Sequence, residues 1–233
     1  METALYLIPV MLSDEPLEKV LPQYNYEIVR RIKHFIVENE RSARRFLKKC
    51  DKAINIDELT FYTLDEHTRP EEIVHYLDPL IKGESMGVIS EAGCPAIADP
   101  GADVVAMAQS KGLKVVPLVG PSSILLSLMA SGFNGQSFAF LGYLPIEGAK
   151  RTKKFREMER NIDHGQTQIF IETPYRNNRL ISEICASVRK DLRLCVAYDI
   201  TGENETIITK TIKDWGKFDF TMEKKPAIFL LYR

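Results

Sequence analysis

Short apolar runs rich in β-branched residues alternate with longer amphipathic stretches from one end of the chain to the other, and this alternation most narrows what it can fold into. Residues 5–10, 35–37, 60–64, 86–89 and 114–118 read as strands in the first half. Residues 42–50, 70–82 and 103–111 read as helices between them. Ser42 stands as an N-cap, Pro70 in a first turn, and Gly83 and Gly112 as stops. The second half repeats the rhythm, with helices at 122–130, 150–161 and 178–189. Strands follow at 137–141, 168–171, 192–198 and 227–232, with an edge strand at 206–210. Strands alternating with helices predict an α/β fold with largely parallel sheets.

The chain has 233 residues, enough for one large domain or two small ones. The turn signal Leu118-Val119-Gly120-Pro121 is the expected boundary, giving 1–118 and 119–233. The first 119 residues carry 14 Lys/Arg against 19 Asp/Glu, and the remainder 17 against 13. The whole chain is nearly neutral, at −1, which argues against indiscriminate nucleic-acid binding but leaves room for local basic patches. No apolar run nears the roughly 20 residues of a membrane helix, and the opening residues lack a basic n-region, so neither span nor signal peptide is expected. Cys50, Cys94, Cys185 and Cys195 form no CxxC pair, and His34, His67, His75 and His164 show no metal-type pairing; His34, His67 and His75 read as structural or surface residues. Neither a metal site nor a disulfide framework is expected, and the compartment reads as the reducing cytoplasm.

In open α/β sheets ligands bind beyond the carboxyl ends of the strands, so the loops there carry the functional candidates. The loop at 90–101, SEAGCPAIADPG, is rich in small residues that admit a ligand to the backbone. It reads equally as a rigid connector with Asp99 capping the next helix. The turn VGPSS at 119–123 either offers amides to an anion or holds an ordinary N-cap at Ser122. ETPYR at 172–176 joins a carboxylate, an aromatic and an arginine, which suits substrate contact or a surface ion pair. Lys150, Arg151, Lys153, Lys154, Arg156 and Arg160 form a basic run fit for a phosphate backbone, or a solvated helix face. Arg41, Arg44, Arg45, Lys48 and Lys49 form a second such cluster. Neither the dinucleotide fingerprint, the P-loop nor the GxSxG elbow occurs.

Three segments, taken together, resemble one family. SEAGCPAIADPG resembles S-D-A-G-T-P-x-x-S-D-P-G; GPSSILLSLMASGFNGQSFAFLGYLP at 120–145 resembles G-P-S-A…A-S-G…F-x-G-[FY]-L-P; FIETPYR at 170–176 resembles F-Y-E-S-P-H-R. They belong to the ribosomal RNA small subunit methyltransferase I branch of the tetrapyrrole (corrin/porphyrin) methylase superfamily. The resemblance implies two α/β domains with a cofactor cleft between them, the first with a parallel sheet and the second with a mixed one. It also implies a homodimer and S-adenosylmethionine without a metal. Carried over residue by residue, Gly93, Cys94, Pro95, Ile97, Ser122, Ser123, Glu172, Thr173, Pro226, Ala227 and Ile228 would contact the cofactor. Glu172 and Glu38 are the candidates for orienting or deprotonating a ribose hydroxyl. Arg41, Tyr175, Arg176, Lys150, Arg151, Lys153 and Lys154 would meet substrate. Ribosomal RNA is the expected substrate. A tetrapyrrole or other small molecule, or a non-catalytic role in RNA or ribosome binding, is the alternative.

The chain departs from the family pattern at four places. The Gly-Asn pair of the first loop is missing, replaced within Pro9-Val10-Met11-Leu12-Ser13-Asp14. Asn39 stands for the aspartate of A-E-D-T-R, Cys94 for a threonine, and Tyr175 for a histidine. Relatives run longer at the C-terminus, beyond the last strand seen here.

Overall fold

A computed structural model describes every residue except Glu66, His67 and Arg69, together with Glu223, and it gives the backbone alone at Pro70. The expectation for His67 lies outside the described residues. Contacts divide the chain into two units, Met1–Ser122 and Ser123–Arg233.

The first unit holds strands β1 (Leu5–Ile8), β2 (His34–Val37), β3 (Thr60–Thr63), β4 (Met86–Ile89) and β5 (Val115–Pro117). They form one parallel sheet in the order β3-β2-β4-β1-β5. Period-two alternation sends their side chains into two cores. Tyr6, Ile8, Phe35, Val37 and Ile89 pack against helices α1 (Gln23–Val29) and α2 (Glu40–Cys50). Leu5, Ile36, Met86 and Val88 pack on the other side with Leu77, Leu80 and helix α5 (Gly101–Ser110). Gly87 is required in β4: a Cβ there would lie 2.6 Å from Ile8 and 2.9 Å from Phe35.

The stretch at 70–82 is two short helices, α3 (Pro70–Ile73) and α4 (Asp78–Ile81), where a single helix was expected. Pro79 has no N–H to give the carbonyl of His75, which a continuous helix would demand. That carbonyl accepts from Asp78 instead, at 3.1 Å, and a new turn starts there. Helix α2 begins two residues before the expected Ser42. Its cap is Asn39, whose side chain accepts from the amides of Arg41 and Ser42. Helix α1 was not foreseen, because its inward positions include a polar residue, Asn25, beside Ile28 and Val29.

The second unit holds strands β6 (Phe138–Tyr143), β7 (Thr167–Glu172), β8 (Arg193–Tyr198), β9 (Thr206–Thr211) and β10 (Ala227–Tyr232). The order is β6-β7-β10-β8-β9; β6 and β7 are parallel, and the other pairs are antiparallel. Phe170, Leu194, Val196, Phe229 and Leu231 face helices α7 (Gly148–Asp163) and α8 (Asn177–Ser187) in one core. Helix α6 (Ser123–Ser131) lies against β9 and β10. There the Thr209 hydroxyl donates to the Ser131 carbonyl at 3.0 Å. A short α9 (Ile212–Trp215) follows the edge strand β9 and buries the only tryptophan, whose indole donates to the Leu194 carbonyl at 2.8 Å.

Candidate functional site

Each unit gathers candidate residues at the carboxyl ends of its strands. In the first unit the loop after β4 is fixed by one side chain. The Asp99 carboxylate accepts from the amide of Ala96 at 2.9 Å and from that of Gly101 at 2.7 Å. This is more than a helix cap: it folds the loop back on itself. Ala96 and Ala98 take φ of 65° and 61°, a region that L-residues enter only when surrounding contacts impose it. Burial pushes the Asp99 carboxyl up, while the amides of Gly101, Ala96 and Ile97 pull it down; the net direction is upward.

The same loop is tied to its two neighbours. The amide of Val10 donates to the Gly93 carbonyl at 2.9 Å, bridging to the segment after β1. Gly93 has φ of 70°, and a Cβ on it would lie 3.0 Å from Leu12 and 3.2 Å from the Pro121 carbonyl. The Cys94 thiol donates to the Pro121 carbonyl at 3.3 Å. Asn25, almost fully buried, donates to the Val119 carbonyl at 2.8 Å and anchors that turn from below. Gly93 and Cys94 therefore meet the Pro121 turn that leads into Ser122, with Pro95 next in the loop and Ile97 at its exposed edge. Asn25 gave no sign of this in the sequence, since a lone asparagine in a helix has many uses.

Glu38 follows β2 directly and lies beside this loop. Its carboxylate accepts from the Glu91 amide at 3.2 Å. Burial raises its pKa; the Glu91 amide opposes this, and the charges of Asp99 and Glu91 add to the rise. Arg41 lies exposed in the first turn of α2.

In the second unit the centre is Glu172, at the end of β7 with its side chain 2% exposed. One carboxylate oxygen accepts from Arg176 at 2.6 Å and 2.9 Å and from the Thr173 amide at 2.8 Å. The other accepts from Arg151 at 3.2 Å. Arg151 also donates to Glu183 at 2.7 Å and to the Pro145 carbonyl at 2.6 Å. Burial alone would raise the pKa of Glu172, yet Arg176, the Thr173 amide and Arg151 hold it below the ordinary glutamate range. Such a carboxylate stays ionised and is a weak proton acceptor.

Arg151 thus stands apart from the basic face with which it was grouped. It shares the inward stripe of α7 with Phe155, Met158 and Ile162, at helical spacing, and its side chain is 5% exposed. That stripe was visible in the sequence, but charge counting masked it. Lys150 and Lys153 remain outside, where Lys150 pairs with Glu147; Lys154 is half-buried and pairs with Glu157.

Strand register sets Ala227 beside Glu172 and Ile228 beside Ile171, so the segment at 226–228 borders the same carboxylate. Asn177 and Asn178 hold the approach to β10, donating to the carbonyls of Lys225 at 3.0 Å and Met222 at 3.1 Å. Tyr175 is 79% exposed, with the Lys224 ammonium over its ring. Among the described residues no group of histidines, cysteines and carboxylates could hold a metal ion, and no helix is long and apolar enough to cross a membrane.

The loop of the first unit offers a ligand main-chain groups and a lining of small residues. The backbone is preset by Asp99, the lining is small, and burial raises the pKa of the Cys94 thiol. A thiol kept protonated does not compete as a nucleophile for an activated methyl group.

Comparison with known proteins gives a consistent picture. The family model for Tetrapyrrole (Corrin/Porphyrin) Methylases matches residues 21–215. A protein of Vibrio cholerae named ribosomal RNA small subunit methyltransferase I is 29% identical over 98% of this chain and 76% of its own length. Proteins of the same name from Streptococcus pyogenes and Haemophilus influenzae are 32% and 31% identical over 78% and 66% of this chain. The chain spans only 60% and 53% of the length of those two. Among solved structures, diphthine synthase superposes with a TM-score of 0.68 at 15% identity, covering 98% of this chain and 90% of its own. The methyltransferase CobJ gives 0.64 at 13% identity, covering 99% and 94%. These two similarities speak to the fold.

Proposed function

The chain belongs to the tetrapyrrole (corrin/porphyrin) methylase family, a family of methyltransferases, and we propose that it methylates ribosomal RNA of the small subunit using S-adenosylmethionine. The observation that carries this reading is the preset loop after β4, with its left-handed alanines, neutral thiol and neighbouring Glu38. The bound cofactor supplies a methyl group already activated on sulfonium. Gly93, Cys94, Pro95, Ile97 and Ser122 of the first unit would hold it. Ser123, Thr173, Pro226, Ala227 and Ile228 are the remaining candidates for contact with it.

The chain's own task is then positioning and charge. Glu38 takes the role of orienting a ribose hydroxyl and accepting its proton, because a raised pKa brings it nearer to the working range of a general base. Glu172 serves as a positioning residue. It fixes the guanidinium of Arg176, and thereby the neighbourhood of Tyr175, for contact with RNA. Arg41, Lys150, Lys153 and Lys154 add affinity for the phosphate backbone. Arg151 is withdrawn from that set by its burial.

The two units are read as the two domains, and the active form as a cytoplasmic homodimer. The support for the homodimer is the apolar face of α6, where Leu125 and Met129 are 51% and 78% exposed; sedimentation velocity checks it. For the activity, purified small ribosomal subunits and a tetrapyrrole precursor are each incubated with radiolabelled S-adenosylmethionine. We expect label in ribosomal RNA. Glu38→Gln should lower turnover by about 100-fold and leave the affinity for S-adenosylhomocysteine within twofold. Label in the tetrapyrrole alone would replace the substrate, and none in either, despite cofactor binding, would remove the activity.

A further inference from the structure

The first unit contains an open cleft of about 380 Å³ beside the β4 loop, between α2 and the segment after β1. That volume falls within the range of small-ligand sites, about 300–1,000 Å³. Its apolar wall includes Met11 and Phe46, and its rim carries Arg45 and Lys49. The cofactor-binding residues named above do not line it. Ser90 lines it as well. The residue is 6% exposed, and its hydroxyl has no hydrogen-bond partner among the described residues. Leaving a buried hydroxyl unpaired costs stability, so one in a cleft wall points to a missing partner.

The charges facing the cleft are unevenly matched. Asp14 pairs with Lys49, and Glu91 accepts from the Ser42 hydroxyl. Among the described residues Arg45 makes no hydrogen bond or salt bridge, its charge acting on Asp14 only from a distance, and the side chain of Arg41 makes none either. Arg41, Arg45 and Lys49 recur every fourth residue, so they form one stripe along α2. The stripe runs about 12 Å, longer than a single phosphate group. Arg44, by contrast, faces away, pairing with Glu40 and covering the ring of Phe61.

We infer that this cleft is the subsite for one unstacked nucleotide of a single-stranded RNA substrate. The Arg41–Arg45–Lys49 stripe carries its phosphodiester chain, Met11 and Phe46 receive the base, and the Ser90 hydroxyl takes a hydrogen bond from the sugar or base. The inference rests on the proposed RNA activity and names the surface through which the first unit would serve it.

The test uses the full chain and a fluorescein-labelled single-stranded RNA ten-mer, with binding followed by anisotropy at several salt concentrations. Arg45→Ala and Ser90→Ala should each weaken RNA binding about five- to tenfold. Arg45→Ala should lower the salt slope by about 1, and Ser90→Ala should leave it unchanged. Ser90→Ala should also raise the unfolding temperature of the free protein, since it removes an unpaired buried hydroxyl. Calorimetry with S-adenosylhomocysteine should give wild-type affinity for both variants. If the wild type binds RNA and the variants bind it equally well, the subsite is overturned while the methyltransferase assignment stands. Loss of S-adenosylhomocysteine affinity in the variants would give the cleft to the cofactor and also overturn it. If the wild type binds S-adenosylhomocysteine but no RNA, the RNA substrate falls first, and the subsite with it.

Discussion

The loop after β4 and the turn after β7 are each organised by one carboxylate, half-buried at Asp99 and buried at Glu172, but they hold it by opposite means. Asp99 is served by backbone amides of its own loop. Glu172 is served mainly by two arginines, one of them from a different helix. The first arrangement shapes a backbone and leaves the acid with a raised pKa; the second locks side chains and depresses it. Neighbouring amides give a local, self-contained device. Arginines give one that joins α7, β7 and α8.

The sharpest way to break this contrast is Arg151→Met, which leaves Glu172 and Glu183 short of a buried partner. We expect a loss of about 3 kcal/mol or more, measured by urea unfolding; a loss below about 1 kcal/mol would mean that Arg176 suffices alone. Asp99→Ala comes next. It strands the amides of Ala96, Ile97 and Gly101 and should cost about 1–3 kcal/mol. Affinity for S-adenosylhomocysteine, read by calorimetry, should fall more than tenfold, because the loop loses its shape.

Acid should separate the two devices. The depressed pKa of Glu172 means that its stabilisation is complete above the ordinary glutamate value of 4.5 and is lost as pH falls through the lower folded value. Glu38 and Asp99 have raised values, so acidification through those values relieves a cost of ionisation in the first unit. Trp215 is the only tryptophan and lies in the second unit. Its fluorescence should therefore change at a higher pH than the part of the circular dichroism signal contributed by the first unit; coincident transitions would show that the units unfold together. The smallest effect is expected for Ala96→Gly. Removing a Cβ from a left-handed position should offset the added freedom of the unfolded chain and stabilise by about 0.5 kcal/mol, read as a rise in melting temperature.

Much of the architecture is legible because the central strands are buried apolar runs. The edge strand at 206–210 and the last strand were read within a residue of their observed limits. The break within 70–82 is hidden because a helix-favouring composition outweighs a single missing amide at Pro79. Ser42 reads as the cap because a hydroxyl near a helix start is a common signal, but Asn39, three residues earlier, caps the helix. The candidate residues of the first unit come mostly from two contiguous motifs, so sequence could group them. The second unit draws Arg151, Glu172 and Glu183 from separate elements, and their convergence depends on packing that no local pattern records.

The left-handed alanines have one more consequence. A loop already held in shape has little freedom left to surrender when a ligand arrives, so the entropic cost of ordering it falls on folding, before any encounter. Association with such a surface needs no slow rearrangement of the loop, and the arrival rate is then set by diffusion and charge. Release, not capture, becomes the step at which the loop's small residues can tune turnover.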